Sequence, residues 1–223
     1  MTVAAARPET YPKRGEVRIR DVPPRRIIEV KGVGGPGSEA FQAAISALYT
    51  VAYGVHFALK RRGVDERVGA LEGLWTFDRD PFASNWPDGA DAAERPDPDA
   101  WQWSLLIELP ATATDDEVEA AIDDGRRRHP EAALDRLREV WFEEGEVVEA
   151  LHVGPYATEP ETIARMSAVA EAAGRKPMGP HHEIYLGDPR RAAPERLRTV
   201  LREPVCPDEA PAPKAQPRET RPR

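Results

Sequence analysis

The 223-residue sequence predicts an α+β fold made of two strand–helix–strand–strand units joined into one antiparallel sheet. Three observations carry that prediction. Setting residue n beside residue n+120 aligns IIEVKGVG (27–34) with VVEALHVG (147–154), so that Glu29 meets Glu149, Val33 meets Val153 and Gly34 meets Gly154. Each stretch is followed by a helix signal and then by a strand holding a carboxylate, LEGLW in the first half and HHEIYL in the second. Apolar residues recur at spacings of three and four in the helical stretches, and β-branched and aromatic residues cluster in the short strand-like runs. The pseudo-repeats span about 26–107 and 146–205, with a helical segment inserted between them. Units of this kind bury their helices on one face of a sheet and leave the other as a central ligand groove.

Residues 1–20 are polar and contain proline, which predicts a flexible N-terminal arm before a folded domain over 21–206. After Pro23-Pro24, RRIIEVKGVG reads as a strand entering a glycine turn. Gly32, Gly34, Gly35 and Gly37 match neither dinucleotide nor Walker spacing, and no Lys-Ser/Thr follows them, so they read as a flexible entry to a helix. That helix, Ser38–Arg62, has Phe41, Ile45, Leu48, Ala52, Val55 and Leu59 as its buried stripe. Tyr49, Tyr53 and His56 adjoin the stripe, as a core boundary or as a pocket wall. Residues 68–78 read as a strand. The Pro-, Asp- and Ala-rich stretch 80–100 is a long loop of the kind that forms lids.

WQWSLLIEL resumes as a strand, with Trp101, Trp103, Leu105 and Ile107 on one face. Thr114 and Glu117 form a capping box for a helix ending near Gly125. Pro130 opens a further predicted helix with Leu134, Leu137, Val140 and Trp141 buried. The densest polar and aromatic stretch, Leu151–Pro189, reads as strand, turn, helix, loop and strand. Thr158 and Glu161 predict a second capping box, Ile163, Met166, Val169 and Ala173 a buried stripe, and Gly174 a stop. In HHEIYL, strand parity separates His181, Glu183 and Tyr185 from His182, Ile184 and Leu186. Assigning Ile184 and Leu186 to the helix-covered core turns Glu183 and Tyr185 toward the groove. A last strand covers about Thr199–Val205, and the Pro-rich 207–223 reads as a disordered tail.

Composition narrows the function. A net charge of −8 argues against direct nucleic-acid binding, which needs clustered Lys and Arg. Arg126–Arg128 reads as a solvated helix end. No apolar run reaches the roughly 18 residues of a membrane span, and the start lacks the apolar centre of a secretion signal. The single cysteine, Cys206, suits a reducing cytoplasm. Adjacent His181 and His182 point to opposite faces, so at most one joins Glu183, and no spaced His or Cys motif is present; no metal and no cofactor is expected. No nucleophile elbow supports a Ser–His–Asp centre.

HVGPY, EPETIARM and GPHHEIYLGDPRR together resemble the C-terminal half of the GyrI-like small-molecule-binding family, and weaker similarity extends over Arg25–Val205. The resemblance implies two pseudo-symmetric modules framing a cleft, with Glu72 and Glu183 as equivalent residues pointing into it. The ligand-binding candidates are Glu72, Trp75, Trp101, Trp103, Tyr49, Tyr53, His152, Tyr156, His181, Glu183 and Tyr185. If Glu72 faces the groove on a regular strand, Trp75 faces away unless Gly73 hosts a bulge. Thr76 stands where the family often has a second aromatic residue. Carboxylates ringed by aromatic faces attract hydrophobic, flat, cationic molecules, each cation–π contact contributing about 0.5–2 kcal/mol. The plain alternative is that Glu72 and Glu183 pair with Arg or Lys as structural ions.

Some stand-alone members of the family hydrolyse strained cyclopropane rings in DNA-alkylating natural products. By that resemblance Glu183 orients or deprotonates a water, and Tyr156 hydrogen-bonds the developing phenolate. Two functions therefore stand: a binder that sequesters or senses aromatic small molecules, and a hydrolase that opens them. A third is a protein–protein inhibitor of a DNA enzyme. No helix-turn-helix precedes residue 25, so a regulatory role would need a separate DNA-binding partner.

Overall fold

A computed structural model describes residues 11–76 and 97–208. The expected arm before residue 11, most of the 80–100 loop and the tail from 209 lie outside the described residues. The elements in chain order are β1 (Val17–Val22), β2 (Arg25–Val33), α1 (Glu39–Arg61), β3 (Leu71–Thr76), β4 (Gln102–Glu108), α2 (Asp115–Arg128), β5 (Arg138–Phe142), β6 (Gly145–Val153), α3 (Glu159–Ala172), β7 (Arg175–Pro177), β8 (His181–Tyr185) and β9 (Arg198–Pro207). The sheet is antiparallel and curls into a half-barrel, in the order β1-β6-β9-β8-β3-β4-β2-β5, with β7 pairing β9.

The duplication is visible in this order. Reading outward from the central seam, β3-β4-β2 mirrors β8-β9-β6, and α1 and α3 follow β2 and β6. The leading strand of each half pairs with the other half, β1 on β6 and β5 on β2. An offset of 120 places Val17–Val22 on residues 137–142, so the repeat extends one strand further than the sequence reading took it. Two expectations are corrected here. Val17–Val22 is a strand rather than part of a loose arm, because Glu149 on β6 gathers Arg18 and Arg20 against the edge. The helix expected after Pro130 is a turn followed by β5, in which Trp141 is exposed while Leu134 and Leu137 remain buried.

Helix α1 starts where Ser38 Oγ accepts from the Phe41 backbone N–H, and α2 starts at the predicted Thr114–Glu117 capping box. The box predicted at Thr158 and Glu161 does not form. Thr158 instead donates to the Pro155 carbonyl, and His152 holds the start of α3. Under α1, Phe41, Leu48, Val51, Val55 and Leu59 pack on Ile28, Val30, Trp103, Leu105 and Ile107. Under α3, Ile163, Met166 and Ala170 pack on Val148, Ala150, Leu201 and Val205. Gly32 lies beneath the Trp103 ring, where a Cβ would sit 2.2 Å from a ring atom. Gly32→Ala is therefore expected to cost about 1–3 kcal/mol through overpacking, read as a lower Tm in thermal unfolding.

The strand register decides which face carries the helices. Val30, Leu105, Gly73, Glu183, Leu201 and Ala150 run across one face, through successive paired positions. That row joins the core under α1 to the core under α3. The sequence expectation placed Ile184 with the helices and Glu183 on the opposite, open face, and the register corrects both placements. Ile184 packs with Leu151 and Val200 on the helix-free face. Curling of the sheet buries that face too, so apolar side chains occur on both sides of the central strands.

The helix-free face also holds a chain of buried ions. Arg25 Nη1 and Nη2 donate to Glu72 at 2.7 and 2.5 Å, and His182 lies between Glu72 and Glu144. Arg202, fully buried, donates to Glu149 at 2.7 Å. Although burial opposes it, the positive charge of Arg25 brings the Glu72 carboxyl down to about 2. Glu144 and Glu72 raise His182 above its usual value against the same desolvation. The stability held by Glu72 is thus present above the ordinary carboxylate range and lost as pH falls toward about 2. That held by protonated His182 is complete below about 6.5 and is lost as pH rises through its raised value.

Candidate functional site

Helix α1 lies over β2 and β4, and α3 over β6, β1 and β7, so the β3–β8 seam runs between the two helices. On that seam Leu71 pairs Tyr185, Gly73 pairs Glu183 and Trp75 pairs His181, each pair sharing the helix face. The register is unbroken from Leu71 to Trp75, so no bulge is needed to bring Trp75 there. Gly73 makes room: a Cβ would sit 2.9 Å from Tyr185 Oη and 3.0 Å from Trp75 Nε1. Across this gap Trp75 Nε1 donates to Tyr185 Oη at 3.1 Å.

The seam is walled by aromatic rings. Trp75 stacks on Phe41 and meets Trp101 edge-on, and Tyr185 meets Tyr156 edge-on at 6.3 Å. Tyr156, in the turn before α3, is 39% exposed and forms the open lip. Burial and the Glu183 charge push its hydroxyl up to about 12, and the same two causes hold Tyr185 well above its usual value. Both phenols therefore stay protonated at neutral pH and can donate hydrogen bonds.

The polar floor is a row of ionisable groups. His181 Nδ1 bonds Glu203 on β9, and its Nε2 lies 3.5 Å from Glu183 Oε1. Glu203 and Glu183 hold the imidazole well above its ordinary value despite full burial. Glu159, the first residue of α3, completes the group: atoms of Glu159, His181 and Glu183 lie within 4.8 Å of one another. Glu159 is 2% exposed and its Oε1 meets no hydrogen-bond partner. Desolvation first, and the Glu183 charge second, raise its carboxyl to about 9.

Folding must therefore bind a proton at Glu159 between the unfolded carboxylate value and about 9, so this group lowers stability as pH rises through that window. Glu159→Gln, which needs no proton, is expected to flatten that decline and to raise Tm at pH 8–9, as thermal unfolding at several pH values would report.

The structure brings Trp75, Trp101, Tyr156, His181, Glu183 and Tyr185 together and disperses the other candidates. Glu72 is on the opposite face with Arg25, because an odd offset of 111 residues separates it from Glu183 while the seam register keeps only even offsets on one face. Trp103 is core: its Nε1 donates to the Gly34 carbonyl at 2.9 Å and its ring meets Phe41. His152 uses Nδ1 on Thr162 Oγ1 and Nε2 on the Pro155 carbonyl, so it secures the start of α3. Tyr49 and Tyr53 line an open groove of about 900 Å³ between α1 and α2, with Phe57, Arg61 and Asp116. Glu159 and Glu203 escaped sequence reasoning. An acid in the first helical turn normally reads as a dipole partner, and the repeat mate of Glu159, Glu39, is indeed exposed.

Two repeated modules flanking a half-buried seam of aromatic rings and carboxylates define a small-molecule-binding class of fold. A family model described as GyrI-like small molecule binding domain matches residues 111–205. The crystal structure of an uncharacterized conserved protein from Listeria innocua is 34% identical, with 87% of this chain and 94% of that one covered and a TM-score of 0.75. The structure of a hydrolase from the same organism is 33% identical over 87% and 93% of the two chains, with a TM-score of 0.72. Among curated proteins none matches the sequence. The chain belongs to the GyrI-like small-molecule-binding family. Among the described residues, no helix is long and apolar enough to cross a membrane.

Proposed function

We propose that the chain binds a hydrophobic, aromatic, cationic small molecule at the β3–β8 seam, and so sequesters or senses drug-like or toxin-like compounds. The observation that carries this is Glu183, 7% exposed among Trp75, Tyr156 and Tyr185, with no Arg or Lys paired to it among the described residues. Among the described residues its counter-charge is His181, which Glu203 already shares, so the row keeps an excess of negative charge. A ligand cation supplies the missing charge, and the Tyr and Trp faces supply cation–π attraction. The net charge of −8 supports a role without direct nucleic-acid contact, and buried Cys206 supports a reducing compartment such as the cytoplasm. The test is a fluorescence titration of Trp75 and its neighbours with an aromatic cation and its neutral isostere. Saturable quenching by the cation, at least tenfold tighter than by the isostere, is expected; equal affinities would remove the role of the charge.

A second reading is favoured by the hydrolase of 33% identity. In it Glu183 takes a proton from water as the water oxygen bonds to a cyclopropane carbon. The broken C–C bond's electron pair moves onto a conjugated oxygen, which Tyr156 meets as a hydrogen-bond donor. Loss of a cyclopropane-bearing substrate over time, absent without protein, distinguishes this from binding alone. A protein–protein role stands third, and gains ground only if no aromatic ligand binds.

A further inference from the structure

We propose that Glu159 is a second ligand carboxyl of the seam, protonated while the site is empty and deprotonated when a doubly charged aromatic ligand binds, so that one cleft serves mono- and dications. The inference rests on the binding reading above and specifies the charge of its ligand. Glu159 is buried at the α3 end of the cleft, beside Glu183 and His181, and its Oε1 has no hydrogen-bond partner. An unpartnered buried carboxyl oxygen is costly, and a ligand group is the partner that would satisfy it.

The charges that face it come from every element around the seam. Glu183 and His181 on β8 and Tyr156 in the turn before α3 act on it directly; Glu203 on β9 sits behind His181, Tyr185 bonds Glu183, and Asp188 after β8 acts on Tyr156. With Glu159 protonated, Glu203 and Glu183 stand against imidazolium His181, leaving one net negative charge near the floor. That matches a monocation. A dication brings a second charge into the same low-dielectric space, where removing the Glu159 proton becomes favourable. The raised carboxyl value near 9 agrees with a proton held at neutral pH in the empty site.

The prediction is a proton count. Isothermal titration calorimetry at pH 7, in buffers of different ionisation enthalpy, gives the protons released per ligand bound. The probes are tetraphenylphosphonium, a monocation, and a rigid aromatic bis-quaternary ammonium dication. The wild-type protein is expected to release about one proton with the dication and close to none with the monocation. Glu159→Gln should abolish the release and lower the dication-to-monocation affinity ratio about tenfold or more. Glu39→Gln, at the exposed repeat position, should leave the release unchanged.

A protonated-carboxyl infrared band at pH 7 that disappears in Glu159→Gln checks the empty state without any ligand. Monocation binding with no proton release on dication binding, or an unchanged release in Glu159→Gln, would overturn the inference and leave the binding reading standing. Binding of neither cation would remove both. Zinc or manganese alone releasing the proton with comparable affinity would reassign the cluster to a divalent metal ion and overturn the proposal.

Discussion

Glu183→Gln is expected to lower the affinity for an aromatic monocation at least tenfold while changing Tm by no more than a few degrees. The amide keeps the shape of the side chain and removes its charge. Among the described residues no Arg or Lys loses a partner, and His181 keeps Glu203. A neutral aromatic ligand should bind as well or better, since it no longer has to desolvate a carboxylate. If the protein is a hydrolase, the variant should still bind its substrate but lose turnover, because an amide cannot accept the proton from water. A variant that unfolds instead would assign Glu183 a structural ionic role. The three outcomes separate in one experiment that combines affinity, turnover and Tm.

Glu72→Ala is expected to act in the opposite way, with a large loss of stability. It leaves Arg25 and His182 facing each other on the buried face without their shared carboxylate. Removing one member of a buried ion network costs about 3–5 kcal/mol, because the remaining charges stay desolvated with weaker compensation, Arg25 keeping Glu108 at 3.3 Å and His182 keeping Glu144. For a chain of this length that is a fall in Tm of roughly 6–20 °C. The double variant Glu72→Met, Arg25→Met should recover much of the loss, since His182 retains Glu144 and both replacements are apolar. Ligand affinity per folded molecule should change little, because the seam lies on the other side of the sheet. A loss of affinity as large as that of Glu183→Gln would place Glu72 in the binding site after all.

The contrast between these two glutamates marks what the sequence could and could not say. The repeat IIEVKGVG/VVEALHVG correctly located β2 and β6, and the Thr114–Glu117 box correctly located the start of α2, because each is a local pattern. Parity correctly separated Glu183 and Tyr185 from His182 and Ile184. It could not assign those two sets to faces. In a curled sheet both faces are buried, so Ile184 satisfies its hydrophobicity without a helix above it. The equivalence of Glu72 with Glu183 failed on an odd offset, a distinction that depends on the β3–β8 register and is invisible before pairing is known. Glu159 was hidden for a different reason: its chemistry comes from burial between α3 and the seam, which a first-turn acid does not announce.

The most direct test of the account is a crystal structure of the protein with tetraphenylphosphonium bound. The account predicts the phosphonium at the β3–β8 seam, facing Glu183, with its phenyl rings against Trp75, Tyr156 and Tyr185 and its centre within about 6 Å of at least one of those ring centroids. Density for the ligand in the Tyr53–Phe57 groove between α1 and α2, with the seam unchanged, would contradict it.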